Sequence, residues 1–323
     1  REEGNIESAF EYADAVYEQT FDTPYLAHVC MEPMNATAWV RDAAVDIWMP
    51  GQGHSIVVDD VSALLGVEKE TIRVHRTFLG GGFGRRGESD LPVQAARLSQ
   101  AAGGRPVKLI WSREEDVRRD FFRPASRAKI RVALADDGLP IGMDIKIASP
   151  SINVRRFPAF IKGGVDPGAF SGFLDSPYPL DHHRFRFALI DNGIPVGYWR
   201  SVGHSQNVFY QEAIANELAE KAGLDGLEFR KRWLGQDPRF VTLLDTLASL
   251  SGYPQKQKEG RAIGVAMNAS HGSLCAHAIH IASDGPSGFR VEKIDCVIDP
   301  GVAVNPDGVI AQVESQALDG LSA

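Results

Sequence analysis

Phe78-Leu79-Gly80-Gly81-Gly82-Phe83-Gly84-Arg85-Arg86-Gly87 is the stretch on which the reading of this chain turns, with five glycines in the eight positions 80–87. Glycine reaches backbone angles closed to other residues and lets a second backbone or a ligand approach closely. Successive amides in such a turn form an anion-binding concavity, to which Arg85 and Arg86 would add charge-assisted donors. Taken alone, the loop is either such a cradle or an ordinary turn.

Gly82, Gly84 and Gly87 satisfy G-x-G-x-x-G, and residues 71–78 alternate as a strand leading into them. A dinucleotide fold needs a helix opening within the glycines and an acid about twenty residues later. Here Gly87-Glu88-Ser89-Asp90 and Pro92 delay the helix to 90–102, and the first acid after the next strand, 106–111, is Glu114. No P-loop lysine follows, and no G-x-S-x-G elbow occurs.

The chain has 323 residues, 44% hydrophobic and 24% charged, which is the composition of a globular protein holding two or three packing units. A net charge of -8 provides no basic field for nucleic acid. Cys30, Cys275 and Cys296 are odd in number and far apart, so they read as small buried residues rather than a disulfide or metal framework. The chain opens on Arg1, and its apolar helical pattern at 309–323 has no stop signal, which suggests a piece of a longer protein.

Residues 1–23 are acidic with scattered aromatics and read as a lead-in segment lying over another domain. Strands are expected late in 24–40 and at 43–49, followed by a helix at 56–65 with Ser55 as N-cap and Gly66 as stop. A short helix at 112–118 carries Glu114, Glu115 and Asp116 in its first turn, where the helix dipole favours acids. A hairpin joins 127–135 to 141–149 across Asp136-Asp137-Gly138. Residues 150–183 read as a long connection or lid, with strands at 185–189 and 194–198 after it. At 206–222, Phe209, Ala213, Ile214, Leu218 and Ala222 share a helical face, with Glu212 off it. Helices at 227–234 and 241–249, a linker at 252–260, strands at 262–268, 276–282 and 289–298, and a last helix from 309 complete an α+β pattern.

Gly-His-Ser opens two of these helices, at Gly53-His54-Ser55 and Gly203-His204-Ser205. Two helix starts and the glycine loop would suit one anionic ligand, although Ser as a routine N-cap explains the repeat equally well. His277 and His280, three apart in a strand, point to opposite faces, so no metal held by histidine is expected. His28 reads as a strand-start residue or as a site wall. Phe83, Trp199, Trp39 and the aromatics of 157–187 would wall a flat ring or fill the core.

Five stretches in order carry a resemblance: HVCMEPMNATA (28–38), GGGFGRR (80–86), PVKLIWSREED (106–116), YWRSVGHSQN (198–207) and DPGVAVNPDGVIAQVE (299–314). Together they resemble the large molybdenum-binding subunit of the xanthine oxidase family of molybdenum hydroxylases, and within it the isoquinoline 1-oxidoreductase beta-subunit branch. Arg85-Arg86, where many members have Gly-Lys, fits that branch. The resemblance implies an α+β fold of molybdenum-cofactor-binding domains with mixed sheets and packed helices. It divides the chain into the lead-in segment 1–23, a first subdomain at 24–125 with the glycine loop, a second at 126–251 with the Arg200 loop, and a return segment at 252–323 truncated at its C-terminus.

The implied cofactor is molybdopterin cytosine dinucleotide. Gln52 would stand near the metal. Gly81, Gly82, Phe83, Gly84 and Arg85 would form the loop meeting the metal's ligands and the pterin, with Arg200 and Ser201 on a second contact loop. Ser270, Gly272 and Ser273 would approach the phosphates, and Gln312 the pterin. No side chain would bind the metal. The implied chemistry oxidises N-heteroaromatic compounds or aldehydes with water as the oxygen source and uses as base a glutamate in a late Gly-Val-Gly-Glu loop. These 323 residues contain no such loop, so the chain alone is expected to be inactive. The implied partners are a small subunit with two iron-sulfur clusters and a cytochrome c as electron acceptor, together with a small-molecule substrate and no nucleic acid. An upstream twin-arginine signal would make the whole protein periplasmic or membrane-associated, with the cytoplasm as alternative. Two rival readings are a non-catalytic anion- or nucleotide-binding module and a structural interaction domain, the latter leaving the three loops apart.

Overall fold

The computed structural model describes residues 2–42, 44–255, 258–286 and 288–323. Residue 43, expected to start a strand, and residues 256–257 of the expected linker lie outside them. The chain opens with strand β1 (Glu2–Glu3), helix α1 (Ile6–Glu11) and strand β2 (Ala15–Thr23). Both strands are edges of a five-stranded sheet whose other members come much later in the sequence. Residues 2–23 are thus built into a sheet rather than laid over one, because Tyr17 and Phe21 alternate inward on β2 and join the main core.

A four-stranded sheet follows, made of β3 (Asn35–Arg41), β4 (Ala44–Met49), β5 (Ile72–Arg76) and β6 (Val107–Ile110) in the order β5-β4-β3-β6. Helix α2 (His54–Leu65) crosses from β4 to β5, and α3 (Asp90–Ala101) links β5 to β6. Both helices pack on one face: Val57 and Val61 of α2 and Leu91, Ala95 and Ala96 of α3 meet Ala36 and Ala38 of β3 and Ile47 of β4. The two small β3 side chains let α3 approach closely. Gly66 ends α2 in the left-handed conformation at φ 68, as its position predicts. The α2 N-cap is Gly53 rather than Ser55, which lies inside the helix and makes no capping bond.

Because β4 and β5 are parallel, with Met49 opposite Arg76, both strands deliver their following loops to the same sheet edge. Pro50-Gly51-Gln52 therefore emerges beside the glycine loop. This relationship positions the site.

After α4 (Arg113–Arg118), whose N-cap is Ser112, β7 (Ser126–Leu134) and β8 (Pro140–Ser149) form the anticipated hairpin. The connection 150–181 includes α5 (Asn153–Arg156) and leads into β9 (His182–Leu189), which runs parallel to β8. The five-stranded order is β1-β9-β8-β7-β2. Residues 194–198, expected as a strand, make only a bridge between Val196 and Phe122. Pro195 has no N-H to offer a ladder, and its carbonyl accepts from the Phe122 amide at 3.0 Å.

Helices α6 (His204–Lys221), α7 (Gly226–Trp233) and α8 (Pro238–Ser251) pack between this sheet and an antiparallel one of β10 (Arg261–Ser270), β11 (Ser273–Ser283) and β12 (Phe289–Asp299); α9 (Pro306–Ser322) ends the chain. The expected face of α6 is buried at Ile214 and Leu218, with Ala213 and Ala222 packed against the core, but two residues depart from it: Phe209 is 55% exposed, its place inside taken by Tyr210, and Glu212 is buried at 4%. Glu212 Oε2 lies 2.9 Å from Arg230 Nη2 and accepts the Met267 amide at 2.6 Å, while Oε1 accepts the Tyr178 hydroxyl at 2.7 Å. The carboxylate is inside because both its oxygens find donors there. Phe170, Phe173, Tyr178 and Phe185 are core aromatics, and Trp39 donates to the Gly104 carbonyl, so none of these walls a ligand.

Candidate functional site

The glycine loop is clamped from below. Glu32 Oε2 accepts from the Gly80 amide at 2.8 Å and from Arg86 Nη2 at 2.9 Å, and Asn35 holds the other oxygen at 2.9 Å. Burial alone would raise the Glu32 pKa; the Gly80 amide, Asn35 and Arg86 outweigh it and hold the carboxyl below its ordinary value.

Arg85 and Arg86 are corrected from anion donors to internal braces, since they are 1% and 0% exposed. Arg85 forks onto Asp90 at 2.9 and 2.7 Å and lies 3.2 Å from Asp120. Arg86 donates to the carbonyls of Gly81, Pro50 and Glu32. A buried guanidinium needs its donors filled from inside, so neither charge faces a ligand.

Three loops meet above these braces. Gly84, at φ 105, donates its amide to Gln52 Oε1 at 3.0 Å. A Cβ on Gly82 would stand 2.5 Å from that same Gln52 oxygen, and one on Gly84 would collide with the Tyr198 carbonyl. The Arg200 guanidinium lies 5.0 Å from the centroid of the Phe83 ring and is paired with Asp319 of α9. His28, buried, bridges Asp120 at 2.9 Å and the Tyr198 carbonyl at 2.9 Å, tying the 198–201 loop to the segment that precedes β3.

Two clefts open from this junction. Phe83, His28, Trp199 and Arg200 line one of about 380 Å³. Arg200 and Ser201 continue into a larger cleft of about 900 Å³ with His204, Ser270, Ser273 and Gln316. Gln312 lines a third, adjoining hollow between β11 and α9, which shares Cys275, Ile298 and Gln316 with the large cleft. The larger cleft, near the top of the usual ligand range, suits an extended polar molecule better than a single ring.

Among the described residues, Val29, Phe83, Ser201, Val202, Gln236 and His271 are the non-glycine residues with positive φ. All but Gln236 border these clefts. Such conformations cost about 1–3 kcal/mol each and concentrate where a structure is over-determined for a purpose. Gln52 is exposed, and with Oε1 engaged its amide nitrogen has no partner among the described residues.

Other expected residues fall elsewhere. Gly81 packs against the Phe83 ring, and Gly272 sits at the β10–β11 turn with its carbonyl taken by Arg239 at 2.8 Å. Of the two Gly-His-Ser helix starts, α6 opens on the large cleft, whereas Gly53 abuts the Gly87 carbonyl and residues 53–55 line none of the three clefts. Both are capped by glycine with no side-chain bond, and the His204 and Ser205 amides already donate to the carbonyls of Ser201 and Val202. Sequence reasoning missed Asp120, Asp319 and the role of Glu32. Only Glu32 lay in a quoted stretch; nothing local marks the other two.

Residues 1–234 match the family profile described as the molybdopterin cofactor-binding domain. The chain is 28% identical to the isoquinoline 1-oxidoreductase subunit beta of Brevundimonas diminuta over 95% of its own length and 40% of that protein's. It is 29% identical to a membrane-bound aldehyde dehydrogenase [pyrroloquinoline-quinone] of Gluconacetobacter polyoxogenes, over 98% of this chain and 44% of that one. It therefore spans less than half the length of these relatives. In fold it resembles the Desulfovibrio gigas aldehyde oxidoreductase at TM-score 0.66 and 20% identity, covering 90% of this chain and 34% of that one. It also resembles the quinoline 2-oxidoreductase of Pseudomonas putida 86 at TM-score 0.68 and 18% identity, covering 86% and 37%. The chain belongs to the molybdopterin cofactor-binding domain family, and its mixed sheets and packed helices are those of the molybdenum hydroxylase large subunits.

Proposed function

We propose that this chain is the cofactor-holding part of the catalytic subunit of a molybdenum oxidoreductase that hydroxylates N-heteroaromatic compounds or oxidises aldehydes. The observation that carries the reading is the interlock of Gln52, Gly82-Phe83-Gly84 and the Tyr198–Ser201 segment, with Phe83 and Ser201 both left-handed and both facing a cleft. An interaction domain would have no need to bring these loops together, and a generic anion module would have kept Arg85 and Arg86 turned outward.

When bound, the cofactor supplies two-electron oxidation with water as oxygen source. The residues that would hold it are the glycine-loop backbone and the Gln52 amide at one end, Arg200 and Ser201 next, and Ser270 and Ser273 further along the large cleft, with Gln312 beyond. Phe83 and Trp199 give the smaller cleft two aromatic faces suited to a flat substrate. The cytosine dinucleotide form, a two-cluster iron-sulfur partner, a cytochrome c acceptor and an exported location belong to the same proposal. No helix among the described residues is long and apolar enough to cross a membrane.

Metal analysis of the protein purified from its natural source, with turnover on isoquinoline, quinoline, nicotinate and aldehydes in oxygen-labelled water, tests the reading. Stoichiometric molybdenum and label in the product are expected. Active protein without molybdenum overturns it.

A further inference from the structure

The hollow beside α9 contains a group of side chains that the reading above does not use. Cys275 and His277 are two apart on β11, so they share a face of the antiparallel sheet. The β11–β12 register puts His277 opposite Cys296 and Cys275 opposite Ile298, which brings both thiols and the imidazole onto that same face. Leu274, Ala276 and Ala278 take the other face into the core. Two cysteines 21 positions apart in the chain are thereby neighbours, which corrects their reading as unrelated buried residues; Cys275 and Cys296 are half-buried rather than buried.

Cys275 Sγ lies 3.5 Å from Cys296 Sγ and 3.8 Å from His277 Nδ1, and the three ligand atoms all fall within 4.8 Å of one another. A tetrahedral zinc ion with bonds of about 2.3 Å to sulfur and about 2.1 Å to nitrogen needs donor–donor edges of about 3.4–3.8 Å. Two edges of the triangle therefore already match one face of such a site, and the third, within 4.8 Å, is short enough for a bound metal to draw in. His277 Nε2 is buried with no hydrogen-bond partner among the described residues. Cys275 and His277 both line the hollow, which leaves an approach for an ion and a fourth position for water or an exogenous ligand.

We propose that Cys275, His277 and Cys296 form a binding site for a zinc-class divalent cation, with two thiolates and one imidazole as ligands and an open fourth position facing the hollow between β11 and α9. A soft donor set of two sulfurs and one nitrogen selects zinc-class ions over magnesium or calcium. Binding releases the thiol protons. Cys30 is not part of the group. It is buried with its thiol pushed up to about 11 by desolvation, and its Sγ faces the Gly82 carbonyl.

The experiment is metal titration of the untagged, reduced protein with Co²⁺ and Zn²⁺ alone. Co²⁺ is expected to produce a near-ultraviolet thiolate charge-transfer band that saturates at one ion per chain and is displaced by Zn²⁺. X-ray absorption on the zinc form should then give two sulfur neighbours at about 2.3 Å and one nitrogen at about 2.1 Å. Cys296→Ser and His277→Gln should each weaken Zn²⁺ binding at least about 100-fold, whereas Cys30→Ser should retain it. The wild-type spectrum needs no variant, so a misfolded variant does not shield the proposal. A cobalt spectrum without the thiolate band, an oxygen-only zinc shell, or binding that survives Cys296→Ser unchanged overturns it.

Discussion

The carbonyl oxygen of Tyr198 occupies the space that a side chain on Gly84 would need. One backbone is thus pressed directly onto another from a distant part of the chain, and His28 holds the same carbonyl at 2.9 Å. Gly84→Ala should destabilise the protein by at least about 2 kcal/mol, since a left-handed alanine already costs about 1–2 kcal/mol before the collision is relieved. Gly87→Ala has open space and should change stability by less than about 0.5 kcal/mol. Thermal denaturation of the two variants checks the pair; equal effects would contradict the close approach.

Glu32 makes the glycine loop sensitive to acid. Its folded pKa lies below the ordinary value near 4.5, so the stabilisation it contributes is fully present above that value and is lost as pH falls through the lower folded value. Glu32→Gln keeps the shape but removes the titration. The acid limb of Tm against pH, followed from neutrality to about 3.5, should be shallower for the variant than for the parent. Parallel limbs would mean that Glu32 is not among the carboxylates that set it.

Arg230 and Glu212 form a pair in the main core, 0% and 4% exposed. Removing either partner leaves a buried charge, so Glu212→Ala and Arg230→Met should each cost about 3–5 kcal/mol in urea unfolding. The double variant should cost less than the sum of the two, because each single change already strands the other group. Additive losses would count against the pairing.

Gln52 touches little besides the glycine loop. Gln52→Ala removes one hydrogen bond, so stability should fall by only about 1 kcal/mol. If the amide supports a bound cofactor as proposed, molybdenum occupancy or turnover of the complete enzyme should drop about 10–100-fold with little change in Tm. Loss of stability and activity in proportion would assign Gln52 a structural role instead.

The glycine loop, the β7–β8 hairpin, α4 and α2 with its Gly66 stop were legible in the sequence, because short-range rules govern them: backbone angle preference, alternation and capping. Glu212 was not. Its helical position reads as solvent-facing, and only distant segments, Tyr178 before the helix and α7 and β10 after it, provide the donors that let it be buried. Arg85 and Arg86 failed for the same reason. A guanidinium beside glycines reads as a ligand contact until Asp90, Asp120 and Glu32 are known to surround it.

By itself the sequence determined which segments become most of the strands and helices, and through five ordered motifs the family to which the chain belongs. Only the tertiary structure decided which loops share a place. The parallel pairing of β4 and β5 sends Gln52 and the glycine loop to one sheet edge, and the β11–β12 register sets Cys296 opposite His277. Register and crossover depend on contacts between distant segments, whose free energy is settled by the whole core rather than by any local run of residues.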